Sequence, residues 1–269
     1  MHQVQIDSMN RTLPSSWDEL NRRQLLFVSS LFNSGTSLSE FKMRCLYRFL
    51  KIKKRVFLNI DPPDAFELGE TLNFLFEQIT LTKALISSLR PSRFPLVRLH
   101  GPDDAMGYCT FGEFTKAQVR YEEYCDTKKP AILDELIAIL FRRKKPFWWL
   151  QRYFVETTDP RVRFMDRNLK SRSRLISTLD ERTKYAIFIF FSGVVFSLPK
   201  HFPNVYKPRS SSSGGKLSGW ASLIISLADG RTDDHSLERI MNSNMYNVFL
   251  GLEQKAIEYF DYLAKNPTV

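Results

Sequence analysis

The strongest constraint on how this chain can fold is the run YAIFIFFSGVVFSL at residues 185–198. So apolar a stretch has to be buried. It falls short of the ~20 apolar residues that cross a bilayer. Ser192 and Gly193 interrupt it, and Asp180, Glu181, Arg182 and Lys184 stand directly before it. The run is therefore read as a helix in the middle of a protein core, with no membrane span. Other elements must then supply apolar faces to enclose it.

Those faces recur along the chain. Ser16 and Glu19 match a capping box, followed by a helix with Trp17, Leu20, Val28 and Leu31 on one side. Residues 33–37 read as a turn, and a second helix is expected over 38–50. Val56 to Ile60 reads as a short strand, broken by Asp61, Pro62 and Pro63. Leu68, Leu72, Leu75, Phe76 and Ile79 have helical spacing. Residues 94–99 read as extended, with Pro95 confining them to an edge. Thr110 and Glu113 form a second capping box, ahead of a face of Phe114, Ala117, Tyr121 and Tyr124. After Pro130 come Leu133, Leu136, Ile137, Leu140 and Phe141, which completes an α-hairpin. Thr178 and Glu181 read as the cap of the long apolar helix, and Asp233 or Asp234 as the cap of a later one. Trp220 to about Ala228 reads as helical, and Phe249, Leu252, Ala256, Phe260 and Leu263 close the chain at helical spacing.

The fold class that follows is mainly α: an irregular multi-helix bundle with at most a few short strands. A length of 269 residues suits one large or two small domains, and 22 Phe, 10 Tyr and 4 Trp make the core aromatic-rich. Two regions are distinguished: 1–100, helical, and 101–269, helical with a flexible Ser/Gly loop at 209–218. One compact unit is the alternative. Charged residues at 25% exclude wholesale disorder.

The pattern contains little that points to catalysis. The three cysteines, Cys45, Cys109 and Cys125, have unrelated spacings and fit a reducing compartment. Residues 1–10 are polar and carry no apolar stretch of the kind a signal peptide needs. His2, His100, His201 and His235 are scattered, and no HExxH, GxSxG, P-loop or GxGxxG motif occurs. Asp103 and Asp104, with His100 and Cys109 nearby, invite a nucleophile or metal reading, but adjacent loop carboxylates more often cap helices and form turns. No enzymatic activity, cofactor or metal is expected.

The charge is more informative. With 39 Lys+Arg against 29 Asp+Glu the net charge is +10, which attracts polyanions. Two segments concentrate it. RRKKPFWWLQRYF at 142–154 joins cations to aromatics, which could neutralise phosphates and stack on bases, or could pack its Phe147, Trp149 and Leu150 inward and leave a basic rim for a partner. RVRFMDRNLKSRSR at 161–174 reads either as an arm that orders on a negative partner or as a solvated loop. The candidate partner-binding residues are Arg142, Arg143, Lys144, Lys145, Trp148, Arg161, Arg163, Arg167, Lys170, Arg172 and Arg174.

Two passages carry a resemblance. Residues 101–144, GPDDAMGYCTFGEFTKAQVRYEEYCDTKKPAILDELIAILFRRK, resemble a group of tail-region proteins from phages and prophages of Bacteroidetes-type hosts. Residues 182–206, with SGWASLIISLA at 218–228, are similar to that group in order and spacing, as is the opening LPSSWDELNRRQLL. Phe141 and Lys144 depart from the pattern, where Tyr and Pro are expected. The resemblance implies a non-enzymatic tail-assembly protein. It would be a chaperone or adaptor that binds other phage tail proteins such as the tape-measure protein, in the host cytoplasm or the virion. A nucleic-acid-binding protein and a structural virion connector are the competing expectations.

Overall fold

The computed structural model describes residues 1–6, 9–32, 34–94, 96–148, 159–207, 227 and 233–266. Among them are ten α-helices and two small two-stranded sheets, so the fold is mainly α. The helix expected over 220–228, apart from residue 227, and the Ser/Gly loop at 209–218 lie outside the described residues, as do Trp149 and Leu150.

The polar N-terminus forms a hairpin, β1 (His2–Ile6) against β2 (Met9–Leu13), with Ile6 and Leu13 turned into the core. Ser16 makes no side-chain cap; it precedes a single 3-10 turn, Trp17–Glu19. The Glu19 carboxylate turns back instead, accepting from Ser15 N at 2.7 Å and from the Met1 amino group at 2.6 Å. These contacts pull the Glu19 carboxyl down to about 2. The reciprocal box forms five residues later. Asn21 Oδ1 accepts from Arg23 N and Gln24 N at 3.0 and 3.1 Å, and Gln24 Oε1 accepts from Asn21 N at 2.9 Å. That box starts α1 (Arg22–Phe32), whose Leu25, Val28 and Leu31 are buried. Helix α2 (Leu38–Leu50) has the expected bounds, with Ser37 as its cap.

Residues 56–60 are not a strand. Lys54–Leu58 is the short helix α3, with the Phe57 ring 5.2 Å from that of Tyr47. Helix α4 (Pro62–Glu70) also stops well before Ile79. A 3-10 turn follows at Asn73–Leu75. Beyond it the backbone donors go to distant carboxylates. Thr82 N and Lys83 N donate to Asp18 Oδ1 at 2.7 and 3.0 Å, and Ala84 N donates to Asp104 Oδ1 at 2.7 Å. Asp18 and Asp104 thus replace the carbonyls a helix would have offered.

What they hold in place is a crossing. The long apolar run is α8 (Glu181–His201), and the backbone of Leu81 lies directly on it at Gly193. A Cβ at Gly193 would sit 2.1 Å from the Leu81 carbonyl oxygen. The cap of α8 is Asp180, which accepts from Thr183 N at 2.7 Å, rather than Thr178. Residues 186–194 of α8 are buried throughout, as a core helix requires, and no helix among the described residues is long and apolar enough to cross a membrane.

The α-hairpin packs against it: α5 (Phe111–Thr127) and α6 (Pro130–Leu140), joined through Lys128 in a left-handed conformation. Tyr121 stacks on Phe188 at 5.3 Å, and Phe114 meets Phe191 at 6.1 Å. Lys184 of α8 is buried against Asp134 of α6 at 2.9 Å. Helix α7 (Leu169–Ile176) leads into α8. Helices α9 (Asp234–Asn242) and α10 (Met245–Lys265) close the structure, capped by Asp233 and Asn244. A second minimal sheet pairs β3 (Ser88–Leu89) with β4 (Leu99–His100), so only the end of the expected extended segment is a strand. One contiguous core runs from Ile6 to Leu252, with buried residues from both sides of position 100.

Candidate functional site

The two basic stretches meet at the edge of the β3–β4 pair. His100 and Arg142 exchange both backbone hydrogen bonds, at 2.6 and 2.9 Å. On the other side of this chain Lys145 N donates to Pro160 O at 2.8 Å, and Val162 N donates to Arg143 O at 2.9 Å. Residues 142–145 therefore lie between His100 and the 160–162 segment as a short antiparallel ladder.

Beneath the ladder is a buried ion cluster. Glu113, whose side chain is 0% exposed, accepts from Arg142 Nη2 at 2.6 Å and from Arg161 Nη1 at 2.9 Å. Asp159 accepts from Arg161 Nε at 2.8 Å and from Arg142 Nη2 at 3.1 Å. Arg161 Nη1 also donates to the Leu140 carbonyl at 2.6 Å. Two guanidinium and two carboxylate charges thus balance. Burial alone would lower the Arg161 pKa, but the charges of Glu113 and Asp159 outweigh it and hold the group above its ordinary value. Glu113 was expected to complete the capping box with Thr110. Thr110 does accept from Glu113 N, at 3.3 Å, but the carboxylate has turned inward to the arginines.

This placement corrects the expectation of a solvent-facing basic surface at three positions. Arg142, Arg161 and Arg172 are buried at 2%, 1% and 9% exposure. Arg172 lies 5.4 Å over the Phe164 ring; its burial, followed by the charge of Arg142, lowers its pKa. Arg143, Lys144, Arg163, Arg167, Lys170 and Arg174 are exposed, while Lys145 and Trp148 are half-buried. The Lys144 ammonium sits 5.7 Å over the Trp148 ring, and Phe147 beside it is exposed rather than packed. Arg163 is tethered to α9 through Glu238 and Asn242, at 3.0 and 2.6 Å. The 161–174 stretch is thus a bridge, a 3-10 turn at Asp166–Asn168 and helix α7.

The remaining candidates have structural placements. Cys45 and Cys109 are fully buried; burial pushes the Cys45 thiol up to about 12, and burial with the Glu113 charge raises Cys109 well above its usual range. Asp103 accepts from Tyr108 N and Asp104 from Ala84 N, as loop-closing groups do. Burial, with the charges of Lys144 and Arg98, lowers the His100 pKa. No group of three or more His, Cys, Asp or Glu side chains among the described residues is placed to hold a metal ion.

Glu113 and Asp159 are the participants that spacing missed, since they lie 29 and 17 residues from Arg142. A second group of cations was also missed. Arg22, Arg23, Arg48 and Lys51 line one open cleft, and Arg22, Arg90 and Arg98 line another. They come from α1, the end of α2 and the β3–β4 connection, so no sequence window contains them. Compared with protein-family models, curated proteins and solved structures, the chain matches none.

Proposed function

We propose that this chain is a non-enzymatic binding protein of phage tail assembly, a chaperone or adaptor that engages an acidic segment of another tail protein such as the tape-measure protein. The resemblance of residues 101–144 and 182–206 supplies the context. The observation that supports a binding role is the frame beneath the two basic stretches. The cluster of Glu113, Arg142, Asp159 and Arg161 pins them side by side, so exposed Arg143 and Lys144 stand on the ladder above it. Cations fixed before the encounter lose less entropy on binding and steer an acidic partner.

The test is co-expression with neighbouring tail proteins, followed by purification of whatever is retained. Retention that is lost on Arg143→Glu with Lys144→Glu supports the reading; retention of no tail protein, or retention unchanged by the pair, refutes it. A connector rather than a chaperone would persist in mature particles. Nucleic-acid binding by the same strip is the second reading, favoured by Phe147 at 72% exposure next to Trp148. It requires Phe147→Ala to weaken oligonucleotide binding.

A further inference from the structure

Arg22 stands at the junction of two open clefts, of about 730 and about 410 Å³. The larger one adds Arg23, Arg48 and Lys51, and the smaller one Arg90 and Arg98. All six are exposed, and none forms a salt bridge among the described residues. Among the described residues the one carboxylate lining these clefts, Asp180, is committed to capping α8 and to Arg182.

Two of the six stand where local folding disfavours them. Arg22 and Arg23 occupy the first turn of α1, which holds no acidic residue, at the positive end of the helix dipole. Asn21 Oδ1 accepts from two backbone donors of that turn, and a guanidinium, which has no acceptor, can satisfy none of the rest. A third cleft in the N-terminal region, of about 610 Å³, is lined by Asp61, Asp64 and Glu67. Positive charge is thus segregated rather than spread evenly.

We infer that the Arg22-centred clefts bind the phosphodiester backbone of a nucleic acid, a function beyond the protein-binding role proposed above. Five of the six cations are arginines, whose planar donor fork matches phosphate oxygens. Tyr47, at 40% exposure in the larger cleft, provides a ring on which a base can stack. Recognition of this kind reads the backbone and not the base sequence.

The experiment uses the full chain with labelled single- and double-stranded DNA of about 20 nucleotides, followed by anisotropy from roughly 50 to 200 mM salt. The expected result is binding that weakens steeply with salt. Arg22→Gln with Arg23→Gln and Arg48→Gln should lose roughly tenfold or more and flatten the salt dependence, by about 0.7 per lost contact on a single strand and about 0.9 on a duplex. Lysine at the same three positions should keep most of the affinity, and circular dichroism confirms that both variants fold. Arg143→Gln with Lys144→Gln should weaken DNA binding by less than the cleft variant does. No binding at the lowest salt overturns the inference. So does loss in the 143/144 variant but not in the cleft variant, or displacement of the DNA by polyglutamate at equal charge, which would make the occupant an acidic polypeptide. Tail-protein capture is read separately, so either proposal can fail without the other.

Discussion

Replacing Glu113 by Gln tests the ion cluster most directly, because it removes one charge and almost no volume. In the native protein Glu113 neutralises Arg142 and Arg161, whose side chains are 3% and 1% exposed. With Gln, Asp159 alone faces two buried guanidinium groups, and one positive charge is left unbalanced inside the protein. Removing one partner of a buried ion pair costs about 3–5 kcal/mol. The Gln carbonyl keeps one hydrogen bond, but its amide turns donors toward the second arginine, so about 4 kcal/mol is expected. At about 2–4 °C per kcal/mol for a chain of this size, the thermal midpoint should fall by roughly 8 °C or more. Urea denaturation and differential scanning calorimetry measure it. Adding Arg142→Met to Glu113→Gln restores the charge balance between Arg161 and Asp159. The double variant should therefore be more stable than the sum of the single losses by about 1–3 kcal/mol. A fall of less than 2 °C in Glu113→Gln, or strict additivity in the pair, would show that the cluster does not hold the ladder together.

Other outcomes follow from the same structure. Gly193→Ala places a methyl group 2.1 Å from the Leu81 carbonyl oxygen, so the crossing must open and stability should fall by about 3 kcal/mol or more in urea titrations; wild-type stability would contradict the crossing. Of the three thiols, Cys125 should react with a disulfide reagent in the native protein, since Cys45 and Cys109 are buried with raised pKa; three equal native rates would refute this, and denaturant should release all three. His100 has a lowered pKa in the fold, so the unfolded chain takes the proton first as pH falls. Its contribution is complete above the ordinary histidine value near 6.5, declines below it, and levels off under the folded value; His100→Gln should remove that part of the stability profile measured from pH 8 to 5.

Local patterns in the chain were legible where neighbours in sequence decide the outcome. The apolar faces of α5, α6 and α8, the bounds of α2, and a cap at Asp233 or Asp234, which the structure places at Asp233, all follow from spacing over a turn or two. Patterns failed where a distant group decided. Ser16 with Glu19 and Asn21 with Gln24 fit the same box, and the second forms because the first Glu is drawn to Ser15 and the Met1 amine while Trp17 is buried with its Nε1 donating to Phe74 O. The helical spacing through Ile79 does not survive because Asp18 and Asp104 claim the donors just beyond it. At the candidate site, a run such as RRKK reads as solvated. That Arg142 dives inward depends on Glu113 and Asp159, which the spacing of cations does not reveal. The Arg22 clefts are assembled from separate elements, and their sole local trace is the pair of arginines at the unfavourable end of α1.

The crossing of Leu81 over Gly193 has a consequence for synthesis on the ribosome. The early segment reaches its resting place only against a helix translated much later, so Leu25 and Leu81 stay uncovered on the nascent chain while α5 and α6 emerge. Contacts between distant parts of a chain form slowly, and apolar surface left waiting is prone to aggregate. Chains that stop before α8 should therefore collect in the insoluble fraction, and a holdase acting during translation should raise the yield of the complete protein.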